Sequence, residues 1–335
     1  MKKLLSVFLI LALALGMFSV CGTAFAEEAA PATKLSIVTT IFPIYDWVEN
    51  IMGDLAANAE VCMLLDNGVD LHSYQPTADD IVRISGCDLF IYVGGESDEW
   101  VEDALQEATN KNMTVISLMD VLGDAVKEEE VVEGMEHEHE EQDEDHDHEE
   151  AHGEEEVEYD EHVWLSLKNA AVLCRAISDA LGEIDSANQS VYTANADSYM
   201  EKLSALDAQY QGVVDEAAYH TMLFGDRFPF RYLADDYGLD YYAAFVGCSA
   251  ETEASFETII FLANKLDEIG LPAVLQIESA DGSIARTIVE CTQSRDQQIL
   301  TMDSMQSTTA KDVSAGAGYL SIMEQNLAVL KAALG

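Results

Sequence analysis

Four polar residues of the sequence can bind divalent cations and stand where a strand pattern ends or an acidic segment rejoins folded chain. His72 lies in "NGVDLHSYQPTADD", and His162 lies in "YDEHVWLSLKN". Asp226, in "LFGDRFPF", and Asp303, in "LTMDSMQS", each directly follow a strand pattern. Neutral imidazole with carboxylate suits zinc, and carboxylate also suits manganese. Together the four predict a closed metal site, although each residue alone is more simply explained by a structural hydrogen bond or ion pair.

A second group of histidines lies in the acidic segment "HEHEEQDEDHDHEEAH". It contains His137, His139, His146, His148 and His152, five of the eight histidines of the chain. Low hydrophobicity and high charge predict a disordered surface loop over residues 128–158. Pairs spaced as His-x-His can chelate zinc weakly, so we interpret the loop as an accessory metal site, with a solvated acidic linker as the alternative.

Composition and the N-terminus restrict the classes of function. The 335 residues carry a formal net charge of −47, which disfavours binding to nucleic acid and to anionic membranes. Residues 1–26 have a basic start, an apolar run and a small-residue site, and they predict an export signal cleaved after Ala26. Lipidation at Cys21 is the alternative, but Val20 is unusual before a lipidated cysteine. The mature protein is therefore expected in the periplasm or at the cell surface.

Five cysteines remain after removal of the signal, with no CxxC pair. This pattern is not that of a disulfide scaffold. One bridge between Cys248 and Cys291 would suit an oxidising compartment, and the other thiols are expected to be isolated and buried.

Short β-rich runs alternate with amphipathic helical patterns on both sides of one long helical run. Eight strand patterns, "LSIVTT", "AEVCMLL", "DLFIYVG", "MTVISL", "TMLFG", "LDYYAAF", "PAVLQI" and "QQILTM", predict an α/β protein with two mostly parallel four-stranded sheets and flanking helices. We expect an N-terminal lobe over 27–185, one long linking helix over 186–216 capped by Ser186, and a C-terminal lobe over 217–335. In open parallel sheets ligands bind at the carboxyl ends of strands, and His72, Asp226 and Asp303 each follow a strand pattern, whereas His162 lies where the acidic segment rejoins folded chain.

Several segments resemble, in order and across nearly the whole mature chain, the solute-binding proteins of zinc and manganese ABC importers. They are "KLSIVTTIFPIYDWVENIMGD", "DLHSYQPTADDI", "DLFIYVGGESDEW", "DEHVWLSLKNA", "YGLDYY" and "DSMQS…GYLSIMEQNL". The resemblance implies two lobes bridged by a rigid helix, one high-affinity metal site between the lobes, and delivery of the ion to a membrane permease.

The resemblance also assigns two histidine ligands. His72 matches the first ligand in the "HxYxP" motif, and His162 matches the second, in a motif usually written Asp-Pro-His-Val-Trp-Leu. Glu161 stands where that motif has proline, which we interpret as a backbone change that leaves the ligand in place.

The third ligand of the family, a histidine or a glutamate, has no equivalent in "GDRFPFRY". The aligned position is nearer Arg227, which cannot ligate a cation, so Asp226 is the preferred candidate and His220 is the competitor. Asp303 matches the fourth ligand of manganese-type members. Glu278, in "LQIESADG", is a candidate for orienting a ligand histidine.

A ligand set of two histidines and two aspartates favours manganese, whereas the histidine-rich insertion favours zinc. We predict zinc. A manganese-type protein of the same family is the first alternative, and a cell-surface metal-storage or adhesion protein is the second. We expect no enzyme, because HExxH and G-x-S-x-G motifs are missing from the sequence and the predicted shell has no open position for a reactive water. The expected partners are the metal ion and the permease, and the chain is expected to be a monomer.

Overall fold

A computed structural model describes residues 34–135, 158–249 and 253–335. Their eight strands form two four-stranded sheets: β1 Leu35–Thr39, β2 Ala59–Met63, β3 Leu89–Tyr92, β4 Thr114–Ser117, β5 Thr221–Phe228, β6 Asp240–Val246, β7 Ala273–Ile277 and β8 Gln298–Met302. The strand order is β2-β1-β3-β4 in the first sheet and β6-β5-β7-β8 in the second, and all pairs are parallel. Each of the eight sequence patterns corresponds to one strand, so the predicted fold class is confirmed.

Eleven α-helices lie in the described residues and flank these sheets. They are α1 Phe42–Met52, α2 Ala78–Gly86, α3 Trp100–Gln106, α4 Leu118–Leu122, α5 Leu167–Ile184, α6 Gln189–Glu216, α7 Arg231–Tyr237, α8 Phe256–Ile269, α9 Ser283–Cys291, α10 Ala310–Ser314 and α11 Tyr319–Leu334. Local signals explain several of their starts. Thr77, for example, forms a capping box with Asp80 at the start of α2.

Helix α6, with 28 residues and a length of about 42 Å, connects the two lobes. Its buried residues recur every three or four positions and are Tyr192, Ala196, Tyr199, Leu203, Leu206, Tyr210 and Val214. The Tyr199 hydroxyl donates to Asp46 in the first lobe, at 3.0 Å, and the Tyr210 hydroxyl donates to the Met323 carbonyl in the second, at 2.6 Å. The helix is therefore anchored to both lobes.

The start of α6 differs from the prediction. Ser186 was expected at the N-cap, but Asn188 occupies that position. The backbone N–H of Asn188 donates to the Asp185 carbonyl, at 3.1 Å, in a tight turn after α5. Because Ser186 lies in this turn, the helix begins at Gln189, three residues after Ser186.

The lobes share one large hydrophobic core, which extends from β1 and α1 to β7, β8 and α11. At its centre the Trp164 indole N–H donates to the Ser304 carbonyl, at 2.9 Å, and the Tyr319 hydroxyl donates to the Trp164 carbonyl, at 2.6 Å. A smaller core lies between the second sheet and helices α8 and α9. The buried contacts around Trp164 hold the lobes together beneath the cleft.

Residues 128–135, assigned above to a disordered loop, are part of the fold. Glu128 forms an antiparallel bridge with Tyr159, and the Glu129 carboxylate accepts a hydrogen bond from the backbone of Cys248, at 3.1 Å. Glu130 pairs with Arg231, and Met135 is buried. The predicted loop boundary is wrong here, because these acids have specific partners and Met135 supplies an apolar anchor.

Some predictions concern residues outside the described ranges. These include the export signal, the cleavage site after Ala26, Cys21, and the five histidines between 137 and 152. Within the described part of the chain, the helices are all too short or too polar to cross a membrane. Cys248 and Cys291 are both free thiols, so the bridge considered between them is absent from this structure.

Candidate metal centre

His72 and His162 meet in the cleft between the lobes. His72 lies in the short 3-10 turn Leu71–Ser73 beyond β2, and His162 lies at the start of the turn Val163–Leu165. Their Nε2 atoms are 3.2 Å apart, although ninety residues separate them in the chain. His162 is fully buried, and His72 is partly buried, with its side chain 7% exposed. The structure thus brings together the two histidines that the sequence predicted as partners.

Both imidazoles are held through their other ring nitrogen. His72 Nδ1 is 2.8 Å from Ser97 Oγ and 3.4 Å from Glu161 Oε2, whereas His162 Nδ1 is 3.0 Å from Asp160 Oδ1. A carboxylate beside Nδ1 favours the tautomer that carries its proton there, which leaves a lone pair on Nε2. Two Nε2 lone pairs therefore face each other, an arrangement that repels unless a cation or a proton lies between them.

The Nε2 spacing fits two ligands on one zinc ion. Nitrogens bound to tetrahedral zinc at about 2.0–2.1 Å stand about 3.3 Å apart. The observed separation is 3.2 Å. Little movement of either ring is needed to admit the ion.

Cys248 completes a group of three metal-binding side chains. It follows β6 in the second lobe, and one ligand atom each of Cys248, His72 and His162 all lie within 4.8 Å of one another. Among the described residues, this is the one group of three or more such side chains at this spacing. From the sequence, Cys248 was considered only as a disulfide partner of Cys291, and its position two residues beyond a strand was the signal that could have marked it as a candidate ligand.

Asp160 and Glu161 are the orienting groups that sequence reasoning missed. Asp160 Oδ1 accepts from both the backbone N–H and Nδ1 of His162, at 2.8 and 3.0 Å. Glu161 is 2% exposed, accepts from the Ser97 N–H at 2.8 Å, and approaches His72. Our interpretation of Glu161 as a backbone change that leaves His162 in place did not foresee that its carboxylate also lies 3.4 Å from His72 Nδ1.

The pKa values follow these contacts. Burial would lower the pKa of His162, but the charge and hydrogen bond of Asp160 raise it above its usual value. Burial would raise the pKa of Glu161, but hydrogen bonds from His72 and Ser97 hold it below its usual value. Burial raises the pKa of the Cys248 thiol, and Asp160 and Glu129 raise it further.

The surroundings of the histidine pair are acidic. A cavity of about 220 Å³ beside His72 and Cys248 is lined by Glu96, Glu129, Glu158 and Glu161. A larger cleft of about 520 Å³, which His72 also lines, contains Asp70, Asp226 and Arg227. Such walls favour the approach of a cation.

Arg227 occupies the position where a third ligand was expected. Its guanidinium is paired with the Asp70 carboxylate and donates to the Ser249 carbonyl, at 3.3 Å. The other oxygen of Asp70 accepts the backbone N–H of His72, at 3.1 Å. Arg227 therefore helps to hold the turn that carries His72.

Asp226 does not follow β5 as predicted but lies within it, at a register shift between Phe224 and Arg227. Its two oxygens accept the backbone N–H groups of Arg227 and Ile277, at 2.9 and 3.1 Å. Burial raises the pKa of Asp226. Its carboxylate connects β5 to β7 and is not part of the group formed by the histidines and Cys248.

Asp303 directly follows β8, as predicted, but it also lies outside that group. Its Oδ1 accepts from the Met305 N–H at 2.8 Å, and burial together with the charge of Glu278 raises the pKa of Asp303 to about 6. Glu278 was expected to orient a histidine. Its carboxylate instead accepts hydrogen bonds from Ser304 and Ser307 and so holds the loop after β8, because this loop supplies the nearest donors.

His220 immediately precedes β5, at the amino end of the strand, and is exposed. Its carbonyl accepts from the Asp240 N–H, at 2.9 Å. His220, the alternative candidate for the third ligand, thus lies at the amino end of the strand, whereas ligands of parallel sheets bind at the carboxyl ends.

The protein has two α/β lobes with parallel sheets, joined by one long helix, and an oriented pair of imidazoles in the cleft between the lobes. These features define the class of two-lobed proteins that bind metal ions. A family model described as zinc-uptake complex component A periplasmic, ZnuA, matches residues 37–333. The chain belongs to this family, and the predicted membership among solute-binding proteins of metal importers is confirmed.

Individual relatives and structures agree with this assignment. The zinc-binding lipoprotein AdcA of Streptococcus pneumoniae is 31% identical over 302 residues, covering 89% of this chain and 55% of that protein. This chain thus spans little more than half the length of the AdcA proteins that it matches. The high-affinity zinc uptake system protein ZnuA of Bacillus subtilis is 29% identical over 335 residues, covering 99% of this chain and 98% of that protein.

The fold agrees with a solved structure. The crystal structure of the Zn(II)-bound ZnuA-like domain of Streptococcus pneumoniae AdcA has a TM-score of 0.67 to this chain at 27% identity. The match covers 90% of this chain and 99% of that one.

Proposed function

We propose that this protein binds zinc outside the cytoplasm and delivers it to the membrane permease of an ABC importer. The observation that carries the proposal is the His72–His162 pair, with its Nε2 atoms 3.2 Å apart and each Nδ1 held by a carboxylate or hydroxyl. The relatives named for zinc binding and zinc uptake support zinc over manganese as the cargo.

The site suits binding and release of an ion rather than catalysis. His72 and His162 are the proposed ligands of highest weight, and Asp226 and Asp303 stay predictions as further ligands. Both carboxylates already accept backbone hydrogen bonds, so they would have to exchange those bonds for the ion. The histidines between 137 and 152 stay predicted accessory sites.

The cellular setting is part of the proposal. A relative named as a lipoprotein and a family described as periplasmic support an exported protein that meets its permease at the membrane surface. Cleavage after Ala26 with release, or lipidation at Cys21, stay alternatives for its attachment. We also propose that the chain acts as a monomer, does not bind nucleic acid and does not catalyse a reaction.

Zinc titration against a competing chelator tests the proposal. His72→Ala and His162→Ala are each expected to weaken the tightest site by at least about 100-fold, since loss of even an orienting contact typically costs 10–100-fold. His220→Ala is the matched control, because this histidine is exposed and lies at the opposite end of the sheet. If all three variants bind zinc like the original protein, the cleft is not the zinc site.

Metal content separates the remaining alternatives. Elemental analysis of protein purified without added metal is expected to give about one tightly bound zinc per chain. Manganese in that position would favour the manganese-type alternative. More than about three tight ions per chain would favour metal storage.

A further inference from the structure

We propose that Cys248 supplies a thiolate as the third protein ligand of the zinc ion held by His72 and His162. This inference rests on the proposed function and deepens it, because it names the ligand chemistry that the second lobe contributes. It also replaces the predicted ligand Asp226 with a different class of donor.

The Cys248 thiol lies on the side of the cleft opposite to the two histidines. His72 and His162 both come from the first lobe, whereas Cys248 follows β6 in the second. The ligand atoms of all three lie within 4.8 Å of one another. Zinc binds cysteine sulfur at about 2.3 Å and histidine nitrogen at about 2.0–2.1 Å, so one ion can reach all three after small movements. A bond to Cys248 would thus connect the lobes through the ion.

The backbone around Cys248 is built for close approach. A Cβ atom on Gly247 would lie 3.1 Å from both Cε1 and Nδ1 of His162. Glycine at this position therefore lets the turn after β6 close against the imidazole. The backbone N–H of Cys248 donates to Glu129, at 3.1 Å, which fixes the turn from the other side.

Arg227 and Asp226, at the position expected for the third ligand, are already engaged. The Arg227 guanidinium has no lone pair to offer and is paired with Asp70. Both oxygens of Asp226 accept backbone hydrogen bonds in the sheet. Among the described residues of the second lobe, Cys248 is the one whose ligand atom lies within 4.8 Å of ligand atoms of both histidines.

A thiolate ligand decides the choice of metal. Soft thiolate ligands favour zinc, whereas manganese prefers carboxylate, carbonyl and water oxygens. On binding, the sulfur–hydrogen bond of Cys248 breaks, the sulfur keeps the electron pair and donates it to the ion, and the proton leaves to solvent. The two histidines and Cys248 therefore discriminate against manganese more strongly than two histidines and two aspartates would.

Cobalt substitution tests the sulfur ligand directly. Co²⁺ added to the metal-free full chain is expected to show thiolate-to-cobalt charge-transfer absorption in the near ultraviolet. Cys248→Ser should lose this absorption and weaken zinc binding by about 100-fold or more. Cys291→Ser is the matched control, because Cys291 is also a free thiol of the second lobe but is exposed.

Alkylation provides a test without mutation. Iodoacetamide labelling followed by peptide mass spectrometry should show Cys248 protected by stoichiometric zinc and Cys291 labelled equally with and without it. If Cys248→Ser keeps the cobalt absorption and the zinc affinity, or if zinc leaves Cys248 labelling unchanged, the thiolate proposal is overturned. Weak binding by His72→Ala and His162→Ala in that case would leave the proposed zinc function standing. Unchanged binding in those two variants would overturn both.

Discussion

Replacement of Asp160 measures how far the protein itself orients His162 for the ion. Asp160 is 1% exposed, and its Oδ1 accepts two hydrogen bonds from His162, from the backbone N–H at 2.8 Å and from Nδ1 at 3.0 Å. His162 is fully buried, so water cannot replace these bonds. Asp160→Ala removes both bonds and the negative charge, while Asp160→Asn keeps one oxygen acceptor, removes the charge and puts an amide NH2 in place of the other oxygen.

The expected losses follow from these differences. Loss of a carboxylate behind a metal-binding histidine typically costs 10–100-fold in affinity. We expect Asp160→Asn near the lower end, about 10-fold, and Asp160→Ala near the upper end, about 100-fold or about 2.7 kcal/mol. The alanine variant also leaves two buried donors of His162, its backbone N–H and Nδ1, without this partner, and each such loss costs about 1–3 kcal/mol of folding stability.

The assay is a zinc titration with a competing chelator at a temperature where circular dichroism shows every variant folded. Asp185→Asn is the control, because Asp185 also accepts two side-chain hydrogen bonds, from Asn188 and Tyr192, but lies in the turn between α5 and α6. Zinc affinity of folded Asp160→Ala within about twofold of the original would refute the argument that Asp160 prepares His162 for the metal.

Three further predictions concern stability and the acidic segment. Burial raises the pKa of Asp98 to about 7, against about 3.9 in the unfolded chain. The folded state therefore binds more protons between these values, so metal-free protein should lose stability as pH rises from 4 to 7, by up to about 4 kcal/mol from this group. In urea unfolding, Asp98→Asn should lack that part of the slope, and an unchanged slope would contradict the assignment. Tyr319→Phe removes the buried hydrogen bond to the Trp164 carbonyl and should lower the free energy of unfolding by about 1–3 kcal/mol, whereas an unchanged urea midpoint would show that this bond is not needed between the lobes. Deletion of 136–157 should remove weak zinc binding and leave the tightest site in place, because His-x-His pairs by themselves are expected to chelate zinc only weakly; loss of the tight site would show that the cleft is not the main one.

The sequence predicted the elements well because their signals are local. Alternating β-rich and amphipathic runs correspond to all eight strands and to α6, since period and length are properties of a few consecutive residues. Boundaries were less well predicted. The turn after α5 displaced the expected start of α6 from Ser186, and the register shift in β5 put Asp226 inside a strand.

The sequence by itself pointed to His72 and His162 as candidate ligands, because each stands in a motif that resembles a ligand motif of the family. Their meeting at 3.2 Å, and the selection of Cys248 as their neighbour, were decided by the tertiary structure. The reason is physical. A ligand set is a set of short distances between atoms, and the chain brings together residues 72, 162 and 248 only when two separate sheets pack across one cleft. The same packing places the Glu161 carboxylate beside His72, a contact that the sequence did not predict. It also places the carboxylates of Asp226 and Glu278 where they accept hydrogen bonds from backbone and hydroxyl groups.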